Sequence, residues 1–198
     1  MSSSPSLGPI VLCALAYVAG SIPFGLFVAR VKGVDLRAVG SGNIGATNVA
    51  RALGKGWAIF VLLLDAAKGF APVALGRRLG VPPEAVALAG LAAIVGHMFT
   101  VFLRGRGGKG VATSLGVALA LSPLAALCGF GLYVVAYAVT RLSSVGSLLG
   151  IWSFPVFATL LGGLARPYLV LATVVAILVT LRHRENIRRL IRGEEKRA

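Results

Sequence analysis

The sequence predicts an all-α fold: a polytopic membrane bundle of about seven transmembrane helices, with the N-terminus outside and the C-terminus cytoplasmic. Three observations lead there. Of the 198 residues, 57% are hydrophobic and only 13% charged, with a mean hydropathy of +0.89. A soluble domain carries about 25% charged residues, so this chain lacks the polar surface to meet water on all sides, and lipid must be its main solvent. Apolar runs of spanning length recur along the chain, each near the ~20 residues a crossing helix needs. The basic residues gather in one set of loops, as they do on the cytoplasmic face of membrane proteins.

The first run, Leu7 to Val31, is long enough to cross, with Gly20 and Pro23 as its expected kink. The stretch before it, Met1 to Pro9, lacks the basic segment and cleavage site of a signal peptide, so this run is expected to be retained. A polar segment covers 32–56. Trp57 to Leu75 is the second span, ending at Arg77-Arg78, and Pro82-Pro83 interrupt the chain before the third, Glu84 to Leu103. Val111 to Thr140 is too long for one span and short for two. Ser122-Pro123 divides it, because proline disfavours helix at the residue before it. The expectation is a short helix over 111–121 and a full one over 124–140. Val145 to Leu164 and Pro167 to Leu181 complete the set.

Charge gives the orientation. The 20 Lys and Arg outnumber 6 Asp and Glu, for a net +14. With seven alternating spans, one side receives 30–55, 104–110, 141–144 and the tail from 182, which hold 5, 3, 1 and 7 basic residues. The other side holds only Arg77, Arg78 and Arg166. Without the break at Ser122-Pro123, the loop 104–110 and the tail would fall on opposite faces. The same positive charge would draw anionic lipid or phosphate-bearing ligands. Cys13 and Cys128 lie in apolar runs with no metal spacing and read as packing residues.

Three polar segments carry candidate chemistry. The first contains Gly40-Ser-Gly-Asn-Ile-Gly-Ala-Thr-Asn-Val-Ala-Arg51. Its glycines let the backbone turn with positive φ and aim N–H groups into an anion-binding concavity. Ser41, Asn43, Thr47 and Asn48 add neutral polar groups, and Arg51 adds a forked cation suited to phosphate. The second, Arg104-Gly-Arg-Gly-Gly-Lys-Gly110, opens directly into an apolar helix, so its N–H groups and the helix dipole would favour an anion beside Lys109. It does not match a nucleotide P-loop in spacing. In the third, His183 and Asn186 are three apart and share a helix face, with Glu185 between them. Arg188 to Arg197 reads as a basic amphipathic tail on anionic headgroups.

Asp65 and Lys68 lie inside the second span, where ionisable groups are costly and pair with one another. Lys68 is expected either to form a structural ion pair or to reach a bound phosphate. His97 reads as a buried, hydrogen-bonded histidine. Few other carboxylates lie near these segments, so a metal site, which wants several converging carboxylates, is not expected. Neither His97 nor His183 is followed by the spacing of a His-Asp pair, and no nucleophile elbow is present.

In this order, Gly40 to Arg51, Asp65-Ala-Ala-Lys-Gly69, Gly105-Arg-Gly-Gly-Lys-Gly110 and His183-Arg-Glu-Asn186 resemble the acyl-phosphate-dependent glycerol-3-phosphate acyltransferases of bacteria. The resemblance covers nearly the whole chain. It implies transfer of a fatty acyl group from acyl phosphate to the sn-1 hydroxyl of glycerol 3-phosphate, giving lysophosphatidic acid and inorganic phosphate. That is the first step of phospholipid synthesis, here in a single domain, 1–198, of the bacterial inner membrane. By the same resemblance Ser41, Asn43, Arg51 and Lys109 would surround phosphate. His183 and Asn186 would bind glycerol 3-phosphate. Gly40, Gly42, Thr47, Asn48, Lys68, Gly107, Gly108 and Glu185 would line or support the substrate site.

The expected partners are the two substrates and membrane lipid, with no nucleic acid, no cofactor and no metal, and the expected state is a monomer. The proton acceptor is open between the donor's own phosphate and His183, whose ordinary pKa of about 6.5 suits the role. A transporter of phosphorylated solutes would place its cationic helix ends near the midplane, within inverted repeats. No repeat is visible, and the motifs fall at one face. A lipid-binding scaffold would not need the pattern from Ser41 to Arg51.

Overall fold

A computed structural model describes residues 7–197, and every regular element among them is helical. The reading of the stretch before Leu7 therefore lies in large part outside the described residues. Helix α1 (Leu7–Ser21) and α2 (Phe24–Val31) form one apolar run interrupted at Ile22-Pro23. The expected kink thus falls at the proline, which lacks an N–H for the ladder. Gly20 stays helical instead, and a Cβ there would collide with the Ala93 carbonyl. Helix α3 (Ala46–Leu53) lies within the first polar segment, followed by α4 (Lys55–Arg78) and α5 (Pro83–Met98). A 3-10 turn, Val101–Leu103, replaces the last turn expected of the third span.

The break at Ser122-Pro123 is present. Helix α6 (Val111–Leu121) stops there and α7 (Pro123–Thr140) begins on the proline, the position where a missing N–H costs nothing. Arg77 donates to the carbonyls of Ala120 and Leu121, satisfying groups that α6 leaves open at its end. Helix α8 (Ser143–Leu160) and α9 (Arg166–Arg182) follow, and α10 (Arg184–Ile191) turns 60° from α9 at His183.

Among the described residues, five segments are long and apolar enough to cross a membrane, six if α9 and α10 count as one bent span. At 11 residues, or about 16 Å, α6 is too short to cross alone. Each of the seven apolar segments read from the sequence is helical.

Small residues bring these helices together, as they do where lipid removes the hydrophobic drive between spans. At the α4–α6 crossing, a Cβ on Gly116 would strike the Ala66 carbonyl and one on Gly69 the Thr113 carbonyl. At the α1–α5 crossing Gly96 lies equally close to the Tyr17 carbonyl. The central core, from α4, α5, α6 and α9, includes Val73, Val86, Ile94, Met98, Val117, Leu171, Val175 and Val179. The outward faces stay apolar and exposed, for example Leu63, Leu127, Val135 and Val156. This is the surface of a protein solvated by lipid.

Candidate active site

The three polar segments that carry candidate chemistry converge. A cavity of about 340 Å³ opens between the segment 40–51, the start of α6, the α7–α8 hairpin, α10 and the tail that follows it. Each wall is built by local chemistry. In the first segment Gly40 takes φ +59 and turns the chain back over α3. Asn48, 1% exposed, clamps that turn. Its Oδ1 accepts from the Ser41 N–H at 3.0 Å, and its Nδ2 donates to the carbonyls of Leu36 and Val39, both at 3.0 Å. Asn43 Oδ1 accepts from the Gly45 N–H at 3.3 Å just before α3. Thr47 meets Ser143 of α8 at 2.9 Å, tying this segment to the hairpin.

The second loop is pinned to the end of α5. The N–H groups of Gly107 and Gly108 donate to the carbonyls of Met98 and His97, at 3.1 and 3.0 Å. Their own carbonyls accept from Arg182. A Cβ on Gly108 would run into the His97 imidazole, so the loop can lie this close only as glycine. The fold of the loop delivers Lys109 to the cavity. Its ammonium donates to Asn186 Oδ1 at 2.5 Å. Burial pushes Lys109 down to about 8; nearby Arg189, Arg51 and Arg182 act in the same direction, and Glu195 opposes them.

Glu195 organises the third wall. Its carboxylate accepts from Asn186 Nδ2 at 2.5 Å, Ser144 Oγ at 2.9 Å and Arg189 Nε at 2.7 Å, with its side chain 7% exposed. These donors, the Asn186 bond foremost, hold it below the usual carboxylate range against the upward pull of burial. Arg51 reaches the carbonyls of Lys196 and Arg197 at the mouth. At the turn between α9 and α10, His183 places Nδ1 2.8 Å from the Val179 carbonyl. Burial, reinforced by Lys109, holds the imidazole down to about 4. It is therefore neutral near pH 7, and a proton on Nδ1 leaves Nε2 as an acceptor.

Nine of the fourteen site residues read from the sequence line this cavity: Gly40, Ser41, Asn43, Thr47, Asn48, Arg51, Lys109, His183 and Asn186. Five lie off it. Gly42 turns beneath the loop with φ +67, and its N–H is used by the Val39 carbonyl. Gly107 and Gly108 do not form the expected anion cradle, because α5 takes their N–H groups. Lys68 forms the structural ion pair, with Nζ 2.8 Å from Asp65 and 2.8 Å from the Ile22 carbonyl at the proline break, which the Phe24 N–H also reaches. Glu185 faces solvent, paired to Arg188 at 3.1 Å. The supporting carboxylate at the cavity is Glu195.

Sequence reasoning missed Glu195, Arg189, Ser143 and Ser144. The one usable signal was an acidic pair, Glu194-Glu195, inside an otherwise basic tail. Asp65 and His97 also reach the cavity wall, with His97 Nδ1 3.7 Å from Asp65. Beyond the polar mouth the cavity becomes apolar between α6, α7 and α8. Among the described residues, Arg51, Lys109, Arg189 and Lys196 line the cavity with the carboxylates of Glu195 and Asp65. The arrangement suits an anion at one end and a hydrocarbon at the other.

A helical membrane scaffold with a cationic mouth and an apolar interior suits a membrane enzyme acting on phosphate-bearing lipids, and the comparisons identify the class as an acyltransferase. A family model described as glycerol-3-phosphate acyltransferase matches residues 10–193. A glycerol-3-phosphate acyltransferase of Anaeromyxobacter dehalogenans (strain 2CP-C) is 55% identical over 98% of this chain and 99% of its own. Another, from Geobacter sulfurreducens, is 50% identical over 96% and 98%. A crystal structure of PlsY, an integral membrane glycerol 3-phosphate acyltransferase in its glycerol 3-phosphate form, superposes with a TM-score of 0.92 at 43% identity, covering 96% of each chain. Its lysophosphatidic acid form gives 0.90 at 42%, covering 96% of this chain and 95% of that one. The chain belongs to the glycerol-3-phosphate acyltransferase family.

Proposed function

We propose that this protein transfers a fatty acyl group from an acyl phosphate to the sn-1 hydroxyl of glycerol 3-phosphate. The C–O bond from the acyl carbon to the donor phosphate breaks, an ester to the hydroxyl oxygen forms, and the hydroxyl proton leaves with inorganic phosphate. The observation that carries this reading is one cavity with Arg51, Lys109 and Arg189 at its mouth and an apolar arm behind them. Both substrates are phosphate esters or anhydrides, and only one bears a hydrocarbon tail.

In this reading Ser41, Asn43, Arg51 and Lys109 bind phosphate, and His183 and Asn186 bind glycerol 3-phosphate. Cations and donors held in place before reaction stabilise the charge that develops on the acyl oxygen and the leaving phosphate. Acyl phosphate is already activated, so holding the hydroxyl in line supplies much of the remainder. A good general base has a pKa near the working pH. With its pKa held down to about 4, His183 is a poor base and a good acceptor of a hydroxyl hydrogen bond. The departing phosphate, whose second pKa of about 6 in esters is closer to neutral, takes the proton.

The same proposal places the cavity at the cytoplasmic face. With α6 counted as a pass, since its far end meets Arg77 of the opposite side, seven passes with the N-terminus outside put 16 of 20 basic residues on the cytoplasmic side. The single domain acts as a monomer in the bacterial inner membrane without cofactor or metal. Purified protein supplied with acyl phosphate and labelled glycerol 3-phosphate should form labelled lysophosphatidic acid, and acyl-CoA should not replace the donor. A folded preparation that forms none removes the reading. Impermeant thiol reagents applied outside intact cells should leave cysteines placed in 104–110 unmodified.

A further inference from the structure

The apolar arm of the cavity has an end. Along α8 it runs from Ser144 beside the cationic mouth to Phe154, ten residues of helix or about 15 Å. Glycines keep the way open: Gly150 on α8 lies against Gly129 on α7, each Cβ position 3.0 Å from the other's carbonyl. At Phe154 the bulk returns. Its ring, 6% exposed, packs with Ala118, Ala125, Ala126, Ala158 and Ala172.

Immediately behind lies a second, apolar void of about 20 Å³, reaching Ile94, Val117, Leu121, Leu171 and Val175. The cavity and the void share four wall residues: Ser114, Ala118, Ile151 and Phe154. Two of the four are small, so the partition consists chiefly of the side chains of Ile151 and Phe154. The fully buried neighbours of the ring are alanines, too small to fill the space it would vacate, with Leu115, Leu119, Phe157 and Leu164 packed at the margin of the cluster.

We propose that Phe154 is the end stop of the acyl-binding arm and sets the length of acyl chain this enzyme accepts. The proposal rests on the acyl-phosphate reading above. A chain whose terminal methyl reaches the ring gains burial with each methylene up to that point and meets bulk beyond it. Truncating Phe154 joins the arm to the void, and enlarging it shortens the arm.

The test compares wild type, Phe154→Ala and Phe154→Trp on a series of saturated acyl phosphates of increasing length, with thermal unfolding of each protein as a control. Phe154→Ala should raise kcat/KM for long over short donors by about fourfold per methylene newly buried, and Phe154→Trp should shift preference to shorter donors. Should the alanine variant fail to fold, Phe154→Leu carries the same expectation at smaller size. Wild-type turnover with unchanged length ratios in the folded variants would overturn the end stop, the tail then leaving sideways into lipid. Wild type inactive with every acyl phosphate would sink the donor reading and the end stop with it.

Discussion

Asn186 bridges Lys109 and Glu195: its Oδ1 accepts from the ammonium at 2.5 Å while its Nδ2 donates to the carboxylate at 2.5 Å. The side-chain amide on α10 is thereby held in one orientation between a loop residue and a tail residue. Since Glu195 also takes hydrogen bonds from Ser144 and Arg189, one carboxylate sets the positions of three cavity residues.

Replacing Glu195 therefore tests the wall as a unit. Glu195→Ala leaves three donors facing a vacancy and is expected to cost about 2 kcal/mol of stability. It should raise KM for glycerol 3-phosphate about tenfold. Glu195→Gln keeps the shape and one acceptor and should fall between the two. Thermal unfolding together with steady-state kinetics checks both effects, and equal KM values across the three proteins would count against the role.

Lys109 makes the reaction sensitive to alkali. Its pKa of about 8, lowered first by burial, means that the ammonium is charged below pH 8 and neutral above it. Anion binding needs the charged form, so kcat/KM should fall through pH 8 by about tenfold per unit. Bound phosphate favours the ammonium, so the limb in kcat should lie at higher pH. Lys109→Arg, which does not titrate in this range, should lose the limb whatever its absolute rate. A profile flat from pH 7 to 10 in the wild type would contradict the assignment.

His183→Gln separates the two proton acceptors. With the donor's phosphate as base, the variant should keep kcat within about tenfold and raise KM for glycerol 3-phosphate. A fall in kcat beyond about 10³-fold would assign the base to His183.

Asn48→Ala should loosen the first segment without removing a ligand-binding cation. It strands the Ser41 N–H and the Leu36 carbonyl, about 1–3 kcal/mol for each group left buried and unpaired, while the Val39 carbonyl keeps the Gly42 N–H. Amide hydrogen exchange should speed up at Ser41 ahead of the helix cores, and unchanged exchange there would show that Asn48 is no clamp.

The helical bundle was legible because hydropathy and proline act locally. The breaks read at Pro23 and Pro123 both occur in the structure, whereas Pro72 and Pro155 stay inside α4 and α8. The glycine-rich segments were legible as well, since few uses other than turning or close approach explain so many glycines. Which use applied was not. Gly107 and Gly108 approach α5 rather than an anion, and that depends on what packs beside them. Lys68 was open between two partners for the same reason, and the broken helix at Ile22 decided it.

Periodicity, charge segregation and the four motifs determine by themselves a basic, helical membrane protein whose polar chemistry lies in three segments. They act between near neighbours, or by simple counting of charge on alternating loops. Only the tertiary structure decided that Glu195 rather than Glu185 supports the cavity wall, that α5 takes the N–H groups of Gly107 and Gly108, and that the apolar arm of the cavity reaches Phe154. Each of these follows from contacts between residues far apart in the chain, where the energy of a side chain depends on neighbours that no sequence window contains.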